Sequence, residues 1–144
     1  MDRMTQHGKG MRRYRGAALA EAAIVMSLLM MVTLGAIEYG WLFLKAQQIT
    51  NAARQAARVA ILPDDGARDR AAALLTALLS SAGLADDAIV TWTWGTVIPG
   101  DPEGREEVTV HVALPTANHR IVNATFLPVP PMIGCRVTMA REGT

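Results

Sequence analysis

Two carboxylates stand inside an apolar stretch. Glu21 and Glu38 frame sixteen uncharged residues, Ala22 to Ile37, and the apolar run resumes from Tyr39 to Leu44. A charge at mid-bilayer costs on the order of 2.5–3.5 kcal/mol on insertion scales, so an acid in such a segment is functional, paired or placed at an end. For Glu38 two readings stay open. It is an interfacial acid near the aromatic belt of Tyr39 and Trp41, with Lys45 two turns along, or it makes a contact within the membrane. Other residues with chemical potential form no constellation. His111 falls on a strand face opposite a row of valines and His119 in a loop, which is no metal pair. Asp64, Asp65 and Asp69 cluster where a second helix starts and suit its dipole. The acid run Asp101 to Glu107 reads as a solvated hairpin tip, and Trp92 and Trp94 as core. The single cysteine, Cys135, excludes an internal disulfide framework and a multi-cysteine zinc site. It reads as a small buried apolar residue. No glycine-rich phosphate loop or nucleophile elbow occurs. The expectation is a protein that is not an enzyme, with no cofactor, no metal site and no small-molecule substrate.

The distribution of charge shows which elements carry the two acids. Of 144 residues, the first fifteen hold a net charge of +4, residues 16–45 hold −1 and residues 46–144 hold −2. A basic head balanced by a mildly acidic body does not suit nucleic acid, which would need a clearly basic domain. Counted from Ala22 to Leu44, the apolar helix is about 35 Å long at roughly 1.5 Å per residue, enough to cross a hydrocarbon core of about 30 Å. Arginines before it and acids after it predict a cytoplasmic N-terminus and an outer C-terminal body. A cleavable secretory signal would have a shorter apolar core and a small-x-small site. A buried soluble-core helix would seldom be apolar all round in so small a chain.

Gly16 lies between the basic leader and this helix, and Glu21 is the fifth residue after it. The arrangement resembles the processing site of type IV prepilins, which a membrane aspartic peptidase cuts after the glycine on the cytoplasmic face. Glycine lets an extended backbone enter a narrow active site, and the basic leader holds the site at the anionic inner surface. Cleavage between Gly16 and Ala17 would create an amine that Glu21, one turn away, can partner on the same or a neighbouring subunit, setting axial register. Glu38-Tyr39 is no second such site, because Thr33 occupies the glycine position.

The match is closer still. Arg15-Gly16-Ala-Ala-Leu-Ala-Glu21-Ala-Ala-Ile-Val, then Leu34-Gly-Ala-Ile-Glu38-Tyr-Gly40, then Gln48-Ile-Thr-Asn51-Ala-Ala-Arg54-Gln-Ala-Ala-Arg58-Val-Ala60 together resemble the TadE-like family. These are minor pilins or pseudopilins of the tight-adherence (Tad) secretion system that assembles Flp pili. The resemblance implies an inner-membrane protein with a prepilin peptidase, other pilin subunits, the Tad assembly platform and the lipid bilayer as partners. It implies processing at Gly16 and Ala17, a register role for Glu21, and a place in pilus assembly, adhesion or secretion, extracellular once assembled. The competing reading is an unprocessed single-pass protein whose outer domain binds a cell-envelope partner.

Beyond the membrane the spacing stays helical to about Ile61, where Leu62-Pro63-Asp-Asp-Gly66 stops it. Ile49, Ala53, Ala56 and Ala60 share one side, while Arg54 and Arg58 lie elsewhere as a solvated pair or a partner contact. A second helix is predicted from about Ala67 to Ala82, with a stripe of Leu74, Leu75, Leu78 and Leu79 and Gly83 to end it. Ile89 to Trp94 and Glu107 to Leu114 alternate as an antiparallel pair joined by the loop Gly95 to Glu106. Cys135 to Ala140 reads as a third strand. The sequence therefore predicts an α+β chain: a basic leader (1–16), a transmembrane and stalk helix (17–61), and a small head (62–144).

Overall fold

In a computed structural model the described residues are 7–101, 105–122 and 127–141, with side chains described from Gly16 onward. Leader residues 1–6, the leader arginines' side chains and residues 102–104 of the acidic loop lie outside the described residues.

The first helix, α1, runs unbroken from His7 to Ala60. It starts well before the expected residue 17, because Met11, Arg12, Arg13 and Arg15 are good helix formers that outweigh Gly8, Gly10 and Gly16. It stops on schedule. Pro63 disfavours helical backbone at Leu62, whose amide has turned to the Val59 carbonyl at 3.3 Å. In the turn that follows, Asp64 accepts from the Gly66 amide at 3.1 Å and from Arg70 Nη2 at 2.5 Å. These partners, the amide first, hold its carboxyl below the usual carboxylate range. Asp64 thus shapes the turn rather than capping the next helix, whose N-cap is Gly66 without a side-chain bond.

Helix α2 covers Ala67–Ser81 and buries Ala67, Ala71, Leu75 and Leu79. Its end is a Schellman motif at Gly83, where φ is +66°. The Leu84 amide reaches the Leu79 carbonyl at 2.9 Å and the Gly83 amide the Ser80 carbonyl at 3.0 Å. Leu79 and Leu84 then enter the same core cluster, the apolar contact that usually accompanies this cap.

Three antiparallel strands follow: β1 (Ile89–Val97), β2 (Glu106–Pro115) and β3 (Met132–Ala140), in the order β1-β2-β3. The first and last are longer than the sequence pattern predicts. Pairing along β1 passes Gly95, at φ +70°, where the register slips between Trp94 and Thr96. A glycine bulge lets the strand continue where the sequence reads as loop. Strand β3 begins three residues early, through Gly134, which pairs with Ala113.

The alternation of β2 puts Val108, Val110, Val112 and Leu114 inward, all buried. Ile133, Cys135, Val137 and Met139 of β3 pack beside them. This inner face lies on the small-residue side of α1, where Ala52, Ala53, Ala56 and Ala57 are buried around Ile49. Trp92 and Trp94 are half-buried and stacked 4.9 Å apart, as expected for core. Val90 differs, because it is exposed at the sheet edge. The outer sheet face is polar, with Thr91, Thr93, Thr109, His111, Arg136 and Thr138 side by side. The architecture is the expected α+β one: a helix pair and a three-stranded sheet around one core, carried on a long N-terminal helix.

Gly134 is the tightest point of the sheet. A Cβ there would sit 2.6 Å from the Val112 carbonyl oxygen, so backbone would have to move. Gly134→Ala is expected to destabilise the head by about 1–3 kcal/mol, as overpacking does. Denaturant unfolding of the detergent-solubilised chain measures this, with the exposed Ala77→Gly as a comparison that should cost about 1 kcal/mol.

Candidate functional site

Burial divides α1 into two zones. From Gly16 to Thr33 every residue is exposed, including Leu19, Ile24, Leu28 and Met30. The helix contains an eighteen-residue window of mean hydropathy 2.1 with none of it covered by the rest of the chain. By length and composition it can cross a membrane. Its hydroxyls are turned back on the helix: Ser27 donates to the Ala23 carbonyl and Thr33 to that of Leu29, both at 2.8 Å. Such bonds satisfy polar groups where water is scarce.

From Leu34 onward one side of the helix is covered. Glu38, Leu42, Lys45, Ile49, Ala52 and Ala56 are buried, and their spacing of four and three residues marks a single seam. Glu38 is completely buried and is the most elaborately held side chain in the head. Its Oε2 accepts from the backbone amides of Ile121 at 3.2 Å and Val122 at 2.7 Å, and Oε1 faces Arg120 Nε at 3.4 Å. Two successive amides converging on one oxygen form an anion-binding concavity. One turn of chain between β2 and β3 thereby grips α1 across more than eighty residues of sequence. Tyr39 reinforces the grip by donating to the Pro128 carbonyl. Leu127 Cδ2 lies 3.4 Å from where a Cβ on Gly35 would stand. Two turns along the seam, Lys45 donates to the Ala82 carbonyl at 3.3 Å and lies over the Trp41 ring. It meets the carbonyl end of α2, where a cation is favoured.

Whatever its depth, Glu38 contacts the chain's own head, a partner that neither reading of the sequence names. Leu42 and Lys45, inside or next to the apolar run by sequence, likewise belong to the head interface. Sequence reasoning missed Arg120, Ile121 and Val122 altogether. The available signal was the seam itself, because Glu38 and Lys45 fall on the same stripe as Leu42, Ile49, Ala52 and Ala56.

The remaining expected residues lie apart. Gly16, Ala17 and Glu21 are all exposed and helical, with nothing near Gly16. Glu21 is seventeen residues from Glu38, about 26 Å along the axis at roughly 1.5 Å per residue. Arg54 and Arg58 are exposed on the stalk, with the charge of Arg54 felt at Cys135. His111 lies on the polar sheet face, and His119 Nε2 lies 3.1 Å from Asp87. No group of three metal-ligating side chains occurs among the described residues. Cys135 is half-buried against α1, and desolvation pushes its thiol up despite a Thr50 hydroxyl and the Val112 backbone.

Residues 16–58 match the family model of TadE-like proteins. Over that segment, under a third of the chain, the sequence is similar to TadE-like proteins. The match takes in the exposed span, the Glu38 seam and both stalk arginines, and it ends two residues before α1 does. No curated protein and no solved structure matches the chain.

Removing the Glu38 charge should loosen the grip on the TadE-like helix. Glu38→Gln keeps one oxygen for the two backbone amides but turns an NH2 toward Arg120, donor against donor, and a loss of about 1–3 kcal/mol is expected for the polar groups left unsatisfied. Thermal unfolding in detergent measures it. Limited proteolysis should show faster cutting in 116–131 for this variant than for Glu21→Gln, which leaves the head unchanged.

Proposed function

We propose that this protein is a minor pilin or pseudopilin of a Tad (Flp-type) pilus. It is inserted in the inner membrane with its N-terminus cytoplasmic and trimmed by a prepilin peptidase between Gly16 and Ala17. It then takes part in pilus assembly, and through it in adhesion or secretion. The observation that carries this reading is the uncovered apolar helix from Gly16 to Thr33 inside a TadE-like segment. A helix apolar on all sides and packed against nothing in its own chain is built to be covered by lipid or by other helices.

The peptidase meets the scissile bond inside a helix, since α1 continues on both sides of Gly16. Cleavage requires local unwinding, and glycine makes that cheaper by about 1 kcal/mol than alanine would. After cleavage the Ala17 amine stands one turn from Glu21. In a bundle of such helices that pair lowers the cost of each charge and fixes axial stagger. The small residues Ala17, Ala18, Ala20, Ala22 and Ala23 permit close helix approach there. The other pilin subunits and the Tad assembly platform are the partners of this surface. The function needs no catalytic group.

Intact mass of the protein from cells with and without the prepilin peptidase tests the reading. A chain beginning at Ala17 is expected only when the peptidase is present, and Gly16→Leu should abolish it. Full-length chain in both samples would reject processing and leave a plain membrane anchor with a binding head. Glu21→Ala should leave head stability within about 0.5 kcal/mol, as surface changes do, yet lower the amount recovered in sheared pili.

A further inference from the structure

Where the head joins the span, the helix is inside out. Its charged residues Glu38 and Lys45 are buried, while Ile37, Tyr39, Phe43 and Leu44 are between 46% and 65% exposed. In the head, Ile121 of the segment that grips Glu38 is 54% exposed and Met132, at the start of β3, is 43% exposed. Between them an apolar groove of about 530 Å³ is lined by Tyr39, Phe43, Pro130 and Ile133, among others. A foot in water would be expected to show the opposite pattern.

Length points the same way. Beyond Glu21 only twelve residues, Ala22 to Thr33, precede the first covered position. They supply about 18 Å at roughly 1.5 Å per residue, against a hydrocarbon core of about 30 Å. With Glu21 at the inner boundary, the core ends about twenty residues on, near Trp41. That is the level of Glu38 and its loop. Residues 115–134 contain no Asp or Glu, so the segment brings no further carboxylate to that level, where an unpaired one would be costly.

We propose that the foot of the head, centred on Ile121, Met132 and Phe43, is immersed in the outer-leaflet interface of the membrane, with phospholipid filling the groove. The Glu38 clasp then does for the loop what a bilayer would otherwise forbid. The two backbone amides of Ile121 and Val122, facing a medium poor in water, receive a carboxylate supplied by the span itself. The occupant is lipid because the surface is continuous with the span and because the stretch of helix left uncovered by the head is too short to cross the hydrocarbon core by itself. This rests on the span reading made above, which the test checks separately.

The test uses the full chain in phosphatidylethanolamine/phosphatidylglycerol vesicles with Cys135→Ser and one nitroxide-labelled cysteine at a time. Collision with oxygen and with a water-soluble nickel chelate is measured for Ile121→Cys and, as a second site, Met132→Cys. Met26→Cys reports the span and Thr91→Cys the outer sheet face. Labels at 121 and 132 are expected to match Met26→Cys in preferring oxygen, with an oxygen-to-nickel ratio several-fold above that at Thr91→Cys. A ratio equal to that at Thr91→Cys would overturn the proposal while leaving the span intact. Protection from both reagents would overturn it in favour of a second copy of the chain in the groove. Nickel accessibility at Met26→Cys would overturn the span reading, and the proposal with it.

Discussion

The structure depends on α1 staying unbroken while its surroundings change. Along one rod, Gly16 to Thr33 face no part of the chain, and Glu38 to Ala60 carry the whole head. Continuity is cheap because every backbone group within a helix is satisfied internally, whatever the medium outside. What must change is the side-chain pattern: apolar all round below, one-sided above. The transition falls within two turns, between Thr33 and Glu38. There the chain buries a carboxylate it could not afford to leave in lipid.

The head has little material with which to grip that rod. Its α1 surface is mostly alanine, so backbones come close and each contact removes little apolar area. Ile49, Leu75, Leu84 and the β2 valines supply the bulk. A buried acid held by two amides adds direction that alanine packing lacks. Sliding the loop along the seam by one residue would leave Glu38 and both amides unpaired, at about 1–3 kcal/mol for each buried group. Lys45 sets a second fixed point, since the carbonyl end of α2 gives it an acceptor. Polar pairings of this kind can fix register where apolar contacts would tolerate slippage.

Most of the fold was legible because each element carries its own local signal. Leu75 and Leu79 mark α2 by period, Gly83 marks its end, and Val108, Val110 and Val112 mark β2. The misreadings lie where a local signal pointed the wrong way. Gly95 and Gly134 look like loop residues, yet one is a bulge inside β1 and the other a close approach inside β3. Glu38 was the harder case. Its neighbours Tyr39 and Trp41 suit an interface, whereas its partners lie more than eighty residues away in a segment with no helical or strand period. The Gly16–Glu21 spacing and the Asn51 to Arg58 stretch were legible as family features. The roles proposed for them belong to encounters with other molecules, which no packing within one chain encodes.

The two acids of α1 therefore have opposite standing. Glu38 has its partners within the chain, and its charge is spent on holding the head to the rod. Glu21 is exposed in an apolar stretch, and among the described residues no hydrogen bond or ion pair is found for it. An uncompensated carboxylate next to a hydrocarbon core has to be neutralised or kept at the headgroups. A rod that satisfies one acid and leaves the other open is complete as a monomer at its upper end and incomplete at its lower one. That asymmetry suits the assembling subunit proposed above: the head is fixed by its own chain, and the carboxylate at the membrane end stays open to a contact.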